Sequence, residues 1–92
     1  MTARTLLERK HKAGLTDLQT LLLLALAERS MTTLTDLAAD LRRAVPSVSM
    51  AAQVLEESGY VVKDSDGTRF SFVFFYLSDE GKRKLAWLLK KD

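Results

Sequence analysis

TLTDLAADLRRAVPSVSMAAQVLEESGY, running from Thr33 to Tyr60, decides the fold. Thr33 and Asp36 have the spacing of a capping box, and Leu34, Leu37, Ala38 and Leu41 follow at helical intervals, so a helix of about two turns starts here. Arg42, Arg43 and Ala44 break the apolar rhythm and read as a turn. Pro46 is tolerated only in a first helical turn, where its missing N–H is not needed, and it opens a second helix through Val48, Ala51, Ala52 and Leu55 to Ser58. Gly59 supplies a left-handed stop. Leu37, Leu41, Val48, Ala51 and Leu55 would lock the two helices at a steep angle, and the small Ala38 and Ala51 would let their backbones approach. One face of the second helix is then left outward. This is the pattern of a helix-turn-helix over about 33–58.

Downstream of Gly59 the period changes from helical to strand-like. Tyr60 to Lys63 and Arg69 to Leu77 flank a turn at 64–68 whose Asp66-Gly67 pair is a strong hairpin signal. Phe70, Phe72, Phe74 and Tyr76 alternate with Ser71, Val73 and Phe75, which suggests a sheet buried on one face and partly covered on the other. Ser78 caps a last helix, with Asp79 and Glu80 at its positive end, Lys90 and Lys91 at its negative end, and Leu85, Trp87, Leu88 and Leu89 within. Upstream, a short helix runs over about 2–13, Gly14 ends it, and Thr16 with Gln19 forms a capping box for a helix reaching about Arg29. Leucines on every side of that helix imply burial on every side. The expected fold is mainly α with a small β-hairpin: a winged helix-turn-helix of four to five helices and a two- or three-stranded wing sheet, in a single domain over 1–92. The wing spans about 60–77 and the terminal helices about 2–13 and 79–91.

Composition sets the bounds. Ninety-two residues at 47% hydrophobic suffice for one core without disulfide or metal. There is no cysteine, which removes thiolate ligands and thiol-based redox sensing. The longest apolar stretch, Leu21 to Ala27, is far short of the roughly 20 residues that cross a bilayer, and the first residues lack the apolar core of a secretion signal, so a soluble cytoplasmic protein is expected. No glycine-rich phosphate loop, no histidine near a nucleophile and no apolar carboxylate pair points to catalysis, and no metal or other cofactor is expected. His11, the only histidine, lies among charges. The formal charge is +2, with basic residues gathered at Arg4, Arg9, Lys10 and Lys12, at Arg42 and Arg43, and from Lys82 to Lys91. Such clusters are more often solvated helix faces than nucleic-acid contacts.

Leu15-Thr16, Gln19, Leu23 and Leu26, then Thr33, Leu37-Ala38, Leu41, Val48, Leu55-Glu56-Glu57 and Gly59, and finally Tyr76-Leu77-Ser78-Asp79-Glu80-Gly81, together resemble the MarR family of winged-helix regulators over about residues 15–85. The resemblance implies a regulator that binds double-stranded DNA. Pro46, Ser47, Ser49, Met50 and Gln53 would face the major groove, where Gln53 suits adenine and Met50 could rest on thymine methyls. Arg42 and Arg43 in the turn, and Lys63, Thr68 and Arg69 on the hairpin, would meet phosphate or minor groove. Family members often carry Arg or Lys where Met50 stands, so the commonest guanine contact is missing. The resemblance also implies a homodimer built by the terminal helices, with Leu6, Leu7, Leu85, Trp87, Leu88 and Leu89 at the interface; the alternative is that Trp87 and these leucines cover the protomer's own sheet. Repression at an inverted repeat is the expected role. The parts that would enclose a small-molecule effector are short, so a sizeable pocket is not expected. A second reading stays open: a winged helix that docks a protein instead of DNA, because no basic residue occurs from Val45 to Ser58.

Overall fold

Leu22 and Leu23 have no solvent-exposed surface, and the helix that carries them, α2 (Asp17–Glu28), packs against most of the other elements. The computed structural model describes residues 3–29, 31–65 and 73–90. Ahead of α2 lies α1 (Ala3–Lys12); after it come α3 (Leu34–Leu41), α4 (Val45–Glu57), strands β1 (Val61–Ser65) and β2 (Val73–Leu77), and α5 (Asp79–Leu89). Among the described residues, five helices and a two-stranded antiparallel hairpin make the winged helix-turn-helix that the sequence predicts. The third strand is reduced to a single bridge, Thr32 opposite Phe75, whose two backbone bonds measure 3.1 and 2.7 Å.

The helix starts follow from local chemistry. Thr16 accepts from the Gln19 N–H at 3.1 Å while the Gln19 side chain accepts from the Thr16 N–H at 3.2 Å, so the capping box is reciprocal. Thr33 accepts from the Asp36 N–H at 3.2 Å, and Ser78 accepts from the Gly81 N–H at 3.0 Å. Each such cap contributes about 1 kcal/mol by satisfying an otherwise unpaired donor. Gly59 ends the α4 segment at φ 84, a left-handed geometry that costs a glycine little.

The core gathers Leu22, Leu23, Leu26, Leu37, Val48, Leu55, Val61, Phe75, Leu77, Leu85 and Leu88, drawn from α2, α3, α4, the hairpin and α5. One expectation is corrected, and the alternation expected of β2 is seen. α2 is not buried all round: Leu21 stays 36% exposed, so among the described residues one side of the helix is left partly open. In β2 the inward residues are Phe75 and Leu77, whereas Phe74 and Tyr76 are half-buried and Val73 is exposed. The register Val61 to Leu77 and Lys63 to Phe75 puts Val61 and Leu77 together on the core side. Asp64 and Ser65, expected in the turn at 64–68, instead extend β1 and pair with Phe74 and Val73, while residues 66–68 of that turn and Arg69 to Phe72 lie outside the described residues.

α5 is fixed to the end of α4 by an unusually close contact. The Ser78 hydroxyl donates to the Gly59 carbonyl at 2.5 Å, and the Ser78 N–H donates to the Tyr60 carbonyl at 3.1 Å. A β-carbon on Gly81 would lie 2.0 Å from the Tyr60 carbonyl oxygen, so only glycine allows this approach.

Candidate functional site

The joint between α3 and α4 shapes the site. α3 closes in a Schellman pattern: the Arg43 N–H donates to the Ala38 carbonyl at 3.0 Å and the Arg42 N–H to the Ala39 carbonyl at 3.3 Å. The left-handed position of that motif, normally a glycine, is Arg42 at φ 54. Both arginine side chains are exposed as a result. α4 then starts at Ala44 without a side-chain cap, with Pro46 in its first turn.

Val48, Ala51, Ala52 and Leu55 occupy the inward face of α4, and the opposite face is open. On it Met50 is 71% exposed, the largest value among the exposed large apolar side chains of the described residues. Gln53 is exposed, and its amide Nε2 donates to a Glu57 carboxylate oxygen at 3.4 Å. Pro46 and Ser47 are exposed as well; Ser49 is half-buried and turns to the hairpin side, where it lines a groove of about 380 Å³ with Gln53, Glu56, Lys63 and Phe75. Lys63 is exposed on β1 at the far wall of that groove. The structure therefore brings Arg42, Arg43, Pro46, Ser47, Met50 and Gln53 onto the turn and the outward side of α4, with Ser49 and Lys63 at its edge. Thr68 and Arg69 lie outside the described residues.

Sequence reasoning missed three features of this surface. Glu57 stands one helical turn after Gln53, close enough to orient its amide, and the i,i+4 spacing was the available signal. Val45 and Val54, 43% and 44% exposed, extend the apolar character around Met50. The charge balance of the segment was the third: from Thr33 to Tyr60 two arginines stand against Asp36, Asp40, Glu56 and Glu57. Asp40 is engaged by Arg29 at 3.4 Å.

The terminal helices form a second surface. Leu85 and Leu88 are buried within the protomer, Leu88 completely, and belong to its core cluster. Of the residues expected at the interface, these two are covered already in the single protomer, where α5 packs on α1, α2 and β2. Leu7, Trp87 and Leu89 remain 56%, 37% and 43% exposed, and Leu6 is half-buried. Arg9 crosses from α1 to the end of α5, where one guanidinium nitrogen donates to the Trp87 carbonyl at 3.1 Å, the Leu88 carbonyl at 3.3 Å and the Lys90 carbonyl. A cation there complements the negative end of the helix. Lys10 pairs with Asp17 at 2.6 Å, and its ammonium holds the Asp17 carboxyl below the usual carboxylate range, first by the hydrogen bond and then by charge. Lys84 lies 5.5 Å from the Tyr60 ring centre and 5.2 Å from that of Trp87.

Between the end of α2, the end of β2 and α5 runs an open groove of about 580 Å³, lined by Leu26, Arg29, Tyr76, Lys82, Leu85 and Leu89 among others. Its volume falls within the roughly 300–1,000 Å³ of small-molecule sites, so chain length alone does not argue against an effector. Among the described residues no group of acidic or histidine side chains could hold a metal ion. No helix among them is long and apolar enough to cross a membrane.

Solved structures share this architecture. The YusO protein of Bacillus subtilis superposes with a TM-score of 0.83 over 94% of the chain at 23% identity. NadR in complex with 4-hydroxyphenylacetate gives 0.78 over 92% at 27% identity, and reduced AbfR bound to DNA gives 0.80 over 96% at 22% identity. The chain spans 61%, 61% and 62% of the lengths of these three proteins. No curated protein sequence matches it. The sequence profile of the MarR family matches residues 13–69, which is more than half of the 92 residues and includes all of α2, α3 and α4, and the chain belongs to that family.

Proposed function

We propose that the chain is a transcription regulator that binds double-stranded DNA in the cytoplasm, as a homodimer on an inverted repeat, and represses by occupying it. Its role is binding and not catalysis. The observation that carries this reading is the outward face of α4, where Met50 and Gln53 are exposed above a fully buried Val48 and Leu55. A helix held in this way fits a major groove about 12 Å wide. Gln53 would take adenine with its two-pronged amide, and Met50 would rest on thymine methyl groups. Pro46, Ser47 and Ser49 would line the approach. Arg42 and Arg43 at the joint, and Lys63, Thr68 and Arg69 on the hairpin, would neutralise phosphates. The structure of AbfR bound to DNA is a precedent within the same fold.

One helix-turn-helix buries little duplex surface, so two copies are needed for tight specific binding. Leu7, Trp87 and Leu89, with half-buried Leu6 beside them, offer the apolar edge for a two-fold contact. The two α4 helices would then enter successive major grooves about 34 Å apart.

Selection of bound duplexes from a random pool tests the reading. Gln53→Ala should relax preference at one base pair, by about 1–3 kcal/mol for a bidentate contact, and Arg42→Ala should weaken all sequences alike. If neither substitution alters binding, the assignment of faces is wrong. One observation favours a second reading, a protein-docking winged helix: acids outnumber arginines between Thr33 and Tyr60, and α4 carries no cation. Salt separates the two. Affinity for DNA should fall steeply as salt rises, with a slope of about 0.9 per phosphate neutralised, whereas a protein contact centred on Met50 should respond weakly.

A further inference from the structure

We infer that Met50 is a reversible oxidation site, and that a hydroperoxide acting on it switches off the duplex contact; the inference rests on the reading of α4 given above. Methionine is among the residue types most often buried, yet Met50 is 71% exposed. Its sulfur is open to a small oxidant from the solvent, and the chain has no cysteine to intercept that oxidant first. Pro46, Gln53, Val54 and Glu57, which share the exposed side of α4, are not readily oxidised.

The chemistry balances with one peroxide. A sulfur lone pair attacks the terminal oxygen of the hydroperoxide; an S–O bond forms and the O–O bond breaks. Sulfur loses two electrons, and the peroxide leaves as an alcohol or water after taking the proton of its own terminal hydroxyl. Reversal needs a dithiol, which is oxidised to a disulfide while the sulfoxide oxygen leaves as water.

The consequence depends on where the side chain stands. Met50 contributes nothing to the cluster of Val48, Ala51, Ala52 and Leu55 beneath it, so a sulfoxide leaves the fold intact. On the groove side the change is large. An apolar thioether suited to a thymine methyl becomes a hydrated dipole whose oxygen is an acceptor, facing base edges that themselves present acceptors such as thymine O4 and purine N7. Met31 is also exposed, at 49%, but it precedes α3 and lies outside α4. It serves as the internal control.

The test treats the whole chain with hydrogen peroxide, locates added oxygen by peptide mass spectrometry, and measures affinity for a duplex selected from the random pool. Met50 should gain one oxygen without change in the far-ultraviolet circular dichroism, and affinity should drop by about tenfold or more, the scale of one lost base contact. Methionine sulfoxide reductase with dithiothreitol should restore it. Bound duplex should shield Met50 from the peroxide but not Met31. Met31→Leu should lose affinity on oxidation as the parent does, and Met50→Leu should keep whatever affinity it has before treatment. The switch is overturned if the Met50 sulfoxide binds as tightly as the thioether, if Met50→Leu loses as much as the parent, or if oxidation unfolds the chain. Failure of the untreated protein to bind any duplex is a different result: it removes the DNA reading, and the switch falls with it.

Discussion

The helix-turn-helix and the terminal helices handle charge in opposite ways. Between Thr33 and Tyr60 the acids outnumber the arginines four to two, and the exposed side of α4 is apolar and polar without a cation. α1 and α5 are rich in lysine and arginine, but several of those cations serve the protomer itself. Arg9 closes the end of α5, Lys10 binds Asp17, Arg4 pairs with Glu8 at 3.1 Å, Arg83 pairs with Glu80, and Lys84 sits by Tyr60 and Trp87. A sequence pI near 9.1 is therefore a poor guide to where this protein meets a polyanion. Several cations of its basic ends are engaged within the protomer, some of them only in exposed surface pairs, and the segment proposed to read bases must do so with hydrogen bonds and shape, helped by the two arginines at the joint.

If this division is real, substitutions should separate stability from binding. Leu88→Ala opens a cavity at a fully buried site in α5 and should cost about 2–5 kcal/mol in a urea melt, whereas Met50→Ala on exposed α4 should stay within about 0.5 kcal/mol of the parent. An equal loss from both would erase the contrast. Gly81→Ala forces a β-carbon against the Tyr60 carbonyl and should cost about 1–3 kcal/mol in thermal unfolding, by pushing α5 off the end of α4. Arg9→Ala strips the carbonyls of Trp87, Leu88 and Lys90 of a charged donor at a partly exposed site. The expected loss is about 1 kcal/mol, and amide hydrogen exchange should quicken in the last turn of α5 before it does in α4.

Asp17→Asn should have the smallest effect, and one visible only against pH. The folded carboxyl titrates lower than in the unfolded chain, so its contribution is present above the ordinary carboxylate range and is lost as pH falls through the lowered value. Parent and variant melts should accordingly differ slightly at neutral pH and converge in acid. A gap that widens in acid would contradict the Lys10 contact.

Features set by neighbouring residues were readable from the sequence. Thr16 with Gln19, Thr33, Pro46, Gly59 and Ser78 each act within a turn or two of chain, and the structure places helix boundaries where those residues imply. Features that depend on distant partners were not. Arg9 meets Trp87 across 78 positions, and nothing local to either residue marks the contact. Leu85 and Leu88 look the same in sequence whether they face the core or a second chain; only the packing of α5 on α2 and the sheet decides it. Leu21 shows the same limit, since the leucine run of α2 conceals which side is left uncovered. At the candidate site the residues on the outward side of α4 follow from helical period alone, while the turn of Ser49 toward the hairpin and the hold of Glu57 on Gln53 required coordinates.

The backbone at Arg42 puts folding and side-chain placement in opposition. A β-carbon in the left-handed region carries a steric penalty of about 1–2 kcal/mol that glycine escapes. Arg42→Gly would ease the joint and discard the guanidinium in the same stroke. The tightest-folding version of this turn is thus a different molecule from one that can grip a phosphate there.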